Sequence, residues 1–251
     1  MQLKFITINI QNGGLLIEKV VAFISNEKPD ILFLQETFAD HNKNLPNRLR
    51  SLFYLKEKSG LKHSSFAPAF HDLDDHQDRG NGILSKFQFI SEKAINYITP
   101  YKKFHEQSLD PDFRLSPRIL QNNVVKIQNK DLRLLNIHGA WDFHGNDTEV
   151  RIKQSQMILS EFSDNESIIL AGDFNMNPKT KAINMLEEKL ESVFNDSLKT
   201  SFNMKRKSNP ALGNSVVDMI FVSKDIKILD NYCPQVDISD HLPLVAILEV
   251  S

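Results

Sequence analysis

Eight polar residues interrupt apolar runs at one kind of place along the chain. Asn9 closes "LKFITIN", Glu36 closes "DILFLQE", His138 closes "LRLLNIH", and Asp173 closes "SIILAGD" with Asn175 two residues beyond. Asp218 lies inside "VVDMIFV", and Asp240-His241 stands directly before "LPLVAIL". Carboxylate and amide oxygens beside imidazoles make up a hard-cation and acid/base site. They suit Mg²⁺ or Mn²⁺, and without thiolates in the set zinc is disfavoured. Singly, each residue has a plainer explanation. Asn9 and Asn175 suit turns, and Asp218 and His138 could be core groups with satisfied hydrogen bonds. Asp240-His241 could be a loop pair ahead of Pro243. Glu36 resists such treatment, because its segment supplies no base and glutamate is seldom buried unpaired. Gathered at strand ends, the eight point to one site.

Residues so far apart in the chain need a frame that brings them together. Short β-branched segments bounded by turn residues recur throughout: "LKFITINI", "DILFLQE", "GILSKF", "NNVVKI", "LRLLNIHG", "SIILAGDF", "VVDMIFVS" and "LVAILEV". They read as strands. Leu16, Val20, Phe23 and Ile24 recur at helical spacing, with Pro29 enforcing a stop. Val150, Met157, Ile158 and Phe162 suggest a second helix capped by Thr148 or Asp147, and "TKAINMLEEKL" suggests a third. Strands outnumber helices, and several neighbouring strands leave no room for a crossover helix. A mixed or antiparallel pair of sheets covered by helices (α/β or α+β) therefore fits better than a doubly wound parallel sheet. On such a frame the strand ends of one rim converge.

The chain has 251 residues, 41% hydrophobic and 25% charged, with a formal net charge of -2. One globular domain over 1–251 is expected, with ample core. The charge argues against a surface that grips nucleic acid indiscriminately, though a local basic patch remains open. The single cysteine, Cys233, excludes an internal disulfide framework and a cysteine zinc cluster. No apolar run approaches the ~20 residues of a membrane span. "MQLKFITINI" alternates like a strand rather than a signal peptide. The expectation is a cytoplasmic monomer without integral membrane association, a removed leader being the alternative.

In order, "ITINIQN", "PDILFLQE", "LNIHGAW", "LAGDFNMNP", "VVDMIFVS" and "SDHLPLVAIL" resemble the motifs of the endonuclease/exonuclease/phosphatase superfamily. That metal-dependent group includes DNase I and the abasic-site endonucleases. The resemblance runs from residue 5 to residue 248 and implies a four-layer sandwich, two mixed sheets flanked by helices, with a site at one end. It implies that Glu36 holds Mg²⁺ or Mn²⁺, helped by Asn9 and Asp240 directly or through waters. It further implies that Asp173 activates the attacking water while Asn175 fixes its carboxylate or the phosphate. His241, oriented by Asp218, would donate to the phosphoryl group, and His138 would bind the phosphate from the opposite side. Arg118 falls where DNase-like members place a phosphate-contacting arginine; a structural salt bridge is an equal alternative. Gln11 stands where some abasic-site enzymes carry an acid, so a second metal ligand is doubtful there. No tyrosine counterpart is evident in mid-chain. "HDLDDHQD", residues 71–78, has a metal-cluster composition but reads as a solvated loop without a strand frame.

The resemblance leaves the ester open. Lys205, Arg206 and Lys207 could cradle substrate phosphates or belong to a solvated loop. Trp141 and Phe143, just beyond His138, could stack on a base, cover a lipid headgroup or cap the core. A nuclease acting on DNA or RNA phosphodiesters is the expectation. A phosphatase or phospholipid-type phosphodiesterase on a small or lipid substrate is the alternative. A catalytically dead binding module would lack a site residue, and none of the core set is missing.

Overall fold

The computed structural model describes residues 1–105 and 113–250. Among them the chain forms β1 (Gln2–Asn9), α1 (Ile17–Glu27), β2 (Ile31–Phe38), α2 (Ser51–Ser59), β3 (His63–Asp72), β4 (Gln77–Ser85) and β5 (Phe89–Asn96). There follow β6 (Lys103–Phe104), β7 (Ile119–Ile127), β8 (Lys130–His138), α3 (Glu149–Ser160), β9 (Ser167–Asp173) and α4 (Lys181–Glu187). The chain closes with β10 (Glu191–Ser192), β11 (Asp218–Val222), β12 (Lys227–Tyr232) and β13 (Leu244–Glu249). One sheet runs β12-β13-β1-β2-β4-β3-β6 and the other β10-β11-β9-β8-β7-β5. Only β1 with β2, β3 with β6 and β8 with β9 pair in parallel. Both sheets are mixed, as expected.

Strand alternation sorts the apolar residues into three packed layers. Leu3 and Phe5 of β1 meet Leu132, Leu134, Ile169, Ala171 and Ile220 between the sheets. Ile6 and Ile8, of opposite parity, pack outward with Val20, Ile24, Leu52 and Leu55 of α1 and α2. Leu135, Ile137, Ile168 and Leu170 do the same toward α3 and α4 through Ile158, Ile183 and Leu186. Each such buried side chain stabilises by roughly 1.5–3 kcal/mol. The order helix, sheet, sheet, helix follows directly.

Thr148 caps α3 by accepting from the Arg151 amide, whereas Asp147 accepts from the Lys181 and Ala182 amides and so caps α4. "HDLDDHQD" is not a solvated loop. His71 and Asp72 end β3, Gln77 and Asp78 begin β4, and Asp72 is fully buried. β3 escaped detection because Pro68 and its serines weaken the strand signal. Pro68 is tolerated next to a register shift, opposite the open edge of β3. β5 and β12 are largely exposed edge strands with no apolar alternation to reveal them.

Candidate active site

Parity aims the site. On β9, Ile169 and Ala171 face the other sheet, so Asp173 does too. On β11, Ile220 and Val222 put Asp218 on the same face; on β8, Leu132 and Leu134 put His138 there. The register aligns all three at one level, Asp173 opposite both Asp218 and His138. Asn9 shares the inward parity of Leu3 and Phe5. Glu36 does not share that of Phe33. Its φ of 60° and the register shift between Leu34 and Thr37 form a bulge that swings its carboxylate inward. A non-glycine residue in that conformation costs about 1–3 kcal/mol and persists only where the surroundings enforce it. Gly172 is required by contact, since a Cβ there would lie 2.1 Å from the Ile137 carbonyl at a φ of +140°.

The side chains converge on Asp173. Its Oδ1 accepts from the Asn175 amide at 2.9 Å, and its Oδ2 accepts from Asn9 Nδ2 at 3.1 Å. The Nε2 atoms of His138 and His241 stand 3.7 and 3.9 Å from Oδ2. His241 Nδ1 donates to Asp218 Oδ2 at 2.8 Å. Arg118 Nη1 lies 3.2 and 3.1 Å from the two nitrogens of His138, so Arg118 is buried against the imidazole. Asn9 Nδ2 also donates to Glu36 Oε1 at 3.0 Å, linking the two carboxylates. Asp240 adjoins this group, because Ser239 Oγ donates to the Asn9 carbonyl at 2.7 Å. The Asn175 side chain donates to the Gly139 carbonyl at 3.2 Å, so its backbone amide, not its carboxamide, fixes Asp173.

These environments separate the protonation states. Burial, aided by Asp218, raises Asp173 to about 6 against the pull of His241. Burial opposes charge on His241, but Asp218 and Asp173 outweigh it and keep the ring protonated up to about 10. Burial and the Arg118 charge push His138 well below the ordinary histidine value. Burial alone would raise Glu36, but Arg79 and the hydrogen bonds from the Asn12 amide and Asn9 hold it well below the carboxylate range. At neutral pH the site thus holds an ionised Asp173, a cationic His241 and a neutral His138, one base beside one acid.

The donor set fits a hard divalent cation. Glu36 and Asp240 offer carboxylate oxygens, and each attracts a resident cation in this structure, Arg79 on Glu36 and Lys207 on Asp240. Asp218 Oδ1 is buried without a hydrogen-bond partner. Asn9 presents its amide nitrogen to Glu36 and Asp173, so its help to a cation would run through those carboxylates or water. Asp173, Asp218 and His241 offer ligand atoms within 4.8 Å of one another. They suit a metal less well, because a protonated imidazole has no lone pair to give.

Several contributors carried no local signal. Arg79, 43 residues from Glu36, is its ion-pair partner. Tyr97 donates to the His138 carbonyl at 2.6 Å. Arg151, 1% exposed, donates to the carbonyls of Ala140, Asn146 and Asn175 and clamps the loops after β8 and β9 together. A buried arginine on a helix is visible only once its carbonyl partners are placed. The void of about 10 Å³ lined by Glu36, Arg79, Arg118 and His138 suits one small oxygen group. The segment 205–207 is not a free basic cradle. Arg206 forms a two-pronged pair with Asp237 and Lys207 binds Asp240, while Lys205 is exposed.

The model of the Endonuclease/Exonuclease/phosphatase family matches residues 6–241. No curated protein matches the chain significantly. Solved structures share the fold. An endonuclease/exonuclease/phosphatase from Beutenbergia cavernae DSM 12333 is 18% identical with a TM-score of 0.78, covering 100% of this chain and 72% of that one. The mannosyl-6-phosphatase of Bacteroides thetaiotaomicron VPI-5482 is 18% identical with a TM-score of 0.71, covering 98% and 99%. TDP2 of D. rerio, complexed with single strand DNA product, is 17% identical with a TM-score of 0.71, covering 99% of each.

Proposed function

The chain belongs to the endonuclease/exonuclease/phosphatase family, and on that premise we propose that it hydrolyses phosphodiester bonds of nucleic acid with the help of a divalent cation. One observation carries the proposal: a buried, ionised carboxylate, Asp173, lies between a neutral and a cationic imidazole. Asp173 accepts a proton from the attacking water, whose oxygen bonds phosphorus as the P–O ester bond breaks and the departing oxygen takes a proton from solvent. The Asn9 and Asn175 amides keep its carboxylate in place for that transfer. His241, held by Asp218, donates to a phosphoryl oxygen. Arg118 and His138 bind the phosphate from the other side, with the fixed charge of the guanidinium opposite the developing negative charge. Glu36 and Asp240, with Asn9 behind them, would hold Mg²⁺ or Mn²⁺. When bound, the cation polarises the phosphoryl group and neutralises charge.

A second reading, a phosphatase or phospholipid-type esterase on a small ester, draws support from the pairing of Arg206 and Lys207 with Asp237 and Asp240. Solved structures of the same fold include a mannosyl-6-phosphatase and TDP2 complexed with single strand DNA product. One assay series separates them. Chelated protein is given Mn²⁺ and offered single-stranded DNA, duplex DNA, RNA, bis(4-nitrophenyl) phosphate, 4-nitrophenyl phosphate and phosphatidylcholine. Nucleic-acid cleavage that needs the cation supports the nuclease. Cleavage confined to the monoester or the lipid replaces it with the second reading.

A further inference from the structure

Three aromatic rings form a ledge beside the phosphate-binding side of the site. Trp141 and Phe143 follow His138 on the loop after β8, and Phe113 precedes Arg118 on the turn before β7. The Phe113 and Trp141 centroids are 5.5 Å apart at 66°, and those of Trp141 and Phe143 4.9 Å apart at 68°. In an edge-to-face pair one ring's edge meets the other's face, so the first ring's own faces stay clear of that partner. Phe143 is 68% exposed, whereas an aromatic that merely capped the core would be buried, as Phe174 and Phe221 are. The Arg114 guanidinium lies 5.8 Å from the Phe143 centroid.

The ledge is built to keep its shape. Ala140 donates its amide to Gln154 and accepts from Arg151, Gly145 accepts from the Asn177 amide, and Asp147 is tied to the start of α4. Trp141 lies three residues past His138, a reach of at most roughly 10 Å, comparable with the span from a phosphate to its own base.

From this placement we infer that Trp141, Phe143 and Phe113 form a stacking platform for an unpaired nucleobase next to the phosphate held by Arg118 and His138. This presupposes the phosphodiester chemistry proposed above and narrows its substrate to single-stranded nucleic acid, since a base inside a duplex has both faces stacked on its neighbours. A lipid surface fits less well. In "WDFH" an acid and a histidine alternate with the rings, and Arg114 sits over one of them, so no continuous apolar face is presented. Stacking also supplies grip that the engaged Arg206 and Lys207 do not. It adds a base-dependent contribution to the salt-dependent hold on the phosphate.

Trp141 is the only tryptophan in the chain, so intrinsic fluorescence reads the ledge directly. The 251-residue Asp173→Asn variant is titrated with a single-stranded pentathymidylate. The same titration is made with an abasic pentamer of equal charge, a short duplex and phosphatidylcholine vesicles. Quenching by pentathymidylate alone is expected. Phe143→Ala added to that variant should weaken binding roughly five- to hundred-fold, and Phe143→Tyr should restore it. Equal quenching by the abasic pentamer or the duplex overturns the platform, as does a response to vesicles alone or to nothing. Unsubstituted protein assayed on bis(4-nitrophenyl) phosphate tests the phosphodiester chemistry separately. Activity there without base-dependent quenching sinks the platform and spares the chemistry, whereas no activity sinks the chemistry first.

Discussion

Replacing Asp173 by asparagine keeps the shape of a buried side chain and removes its charge. Burial lifts this carboxyl to about 6, so at neutral pH the folded chain carries an ion held less favourably than in the unfolded chain. Measured against an ordinary aspartate near 3.9, that difference disfavours the ionised form by roughly 3 kcal/mol. The variant does not recover all of this. Asp173 accepts from both the Asn175 amide and Asn9 Nδ2. An asparagine has one acceptor oxygen, so one contact becomes donor against donor, costing about 1 kcal/mol or more. A net gain of about 1–2 kcal/mol remains, a rise of roughly 3–6 °C in Tm for a chain of this size. Its pH dependence has a definite sign. The folded protein binds this proton more tightly than the unfolded chain does, so wild-type stability declines as pH rises from about 4 through about 6. The variant should therefore be the less stable of the two below pH 4, where only the lost contact counts, and the more stable above 6. Turnover should fall roughly a hundred- to ten-thousand-fold, as for a lost general base. Turnover on a small diester with Mn²⁺, and Tm in chelator from pH 4 to 8, are measured on one preparation. Near-wild-type turnover refutes the catalytic role of Asp173. A joint fall of Tm and turnover would make it a structural core acid.

Chelation should abolish hydrolysis and Mg²⁺ or Mn²⁺ restore it, with Glu36→Gln raising the cation concentration needed; full activity in excess chelator would refute the cation requirement. Arg79→Met removes the counter-charge from Glu36 and should destabilise the chelated protein by about 3 kcal/mol. Mn²⁺ should recover part of that loss in a thermal melt, and a melt indifferent to Mn²⁺ would show that no cation binds at Glu36. Arg151→Ala strands the carbonyls of Ala140, Asn146 and Asn175. It should cost about 3 kcal/mol and lower kcat by loosening the loop that holds Asn175, whereas an unchanged melt would deny the clamp.

The apolar, β-branched runs of β1, β8, β9 and β11, bounded by turn residues, are written in consecutive residues. They are enough to mark the strands, with Asn9, His138 and Asp173 at their ends and Asp218 within its run. The parity of the folded strands explains why all four point between the sheets. The helical spacing of Leu16 to Ile24 and of Val150 to Ile158 foretold α1 and α3 in the same way. Glu36 was identifiable as an acid with no local partner, but its inward aim comes from a bulge against β4, which depends on how two strands register. Its partner Arg79 lies on β4, the strand that β2 pairs with, so only sheet order could name it. The same holds for Asn136 of β8, which donates to the Leu34 and Gly82 carbonyls and ties the two sheets together beneath the site. Lys205, Arg206 and Lys207 read as a basic patch because charge is visible in a string, whereas Asp237 and Asp240 neutralise two of them only after the chain folds back. Strand alternation and helical period are properties of neighbours along the chain. Which charge meets which is set by strand order, register and loop closure, and these exist only once the two sheets have packed.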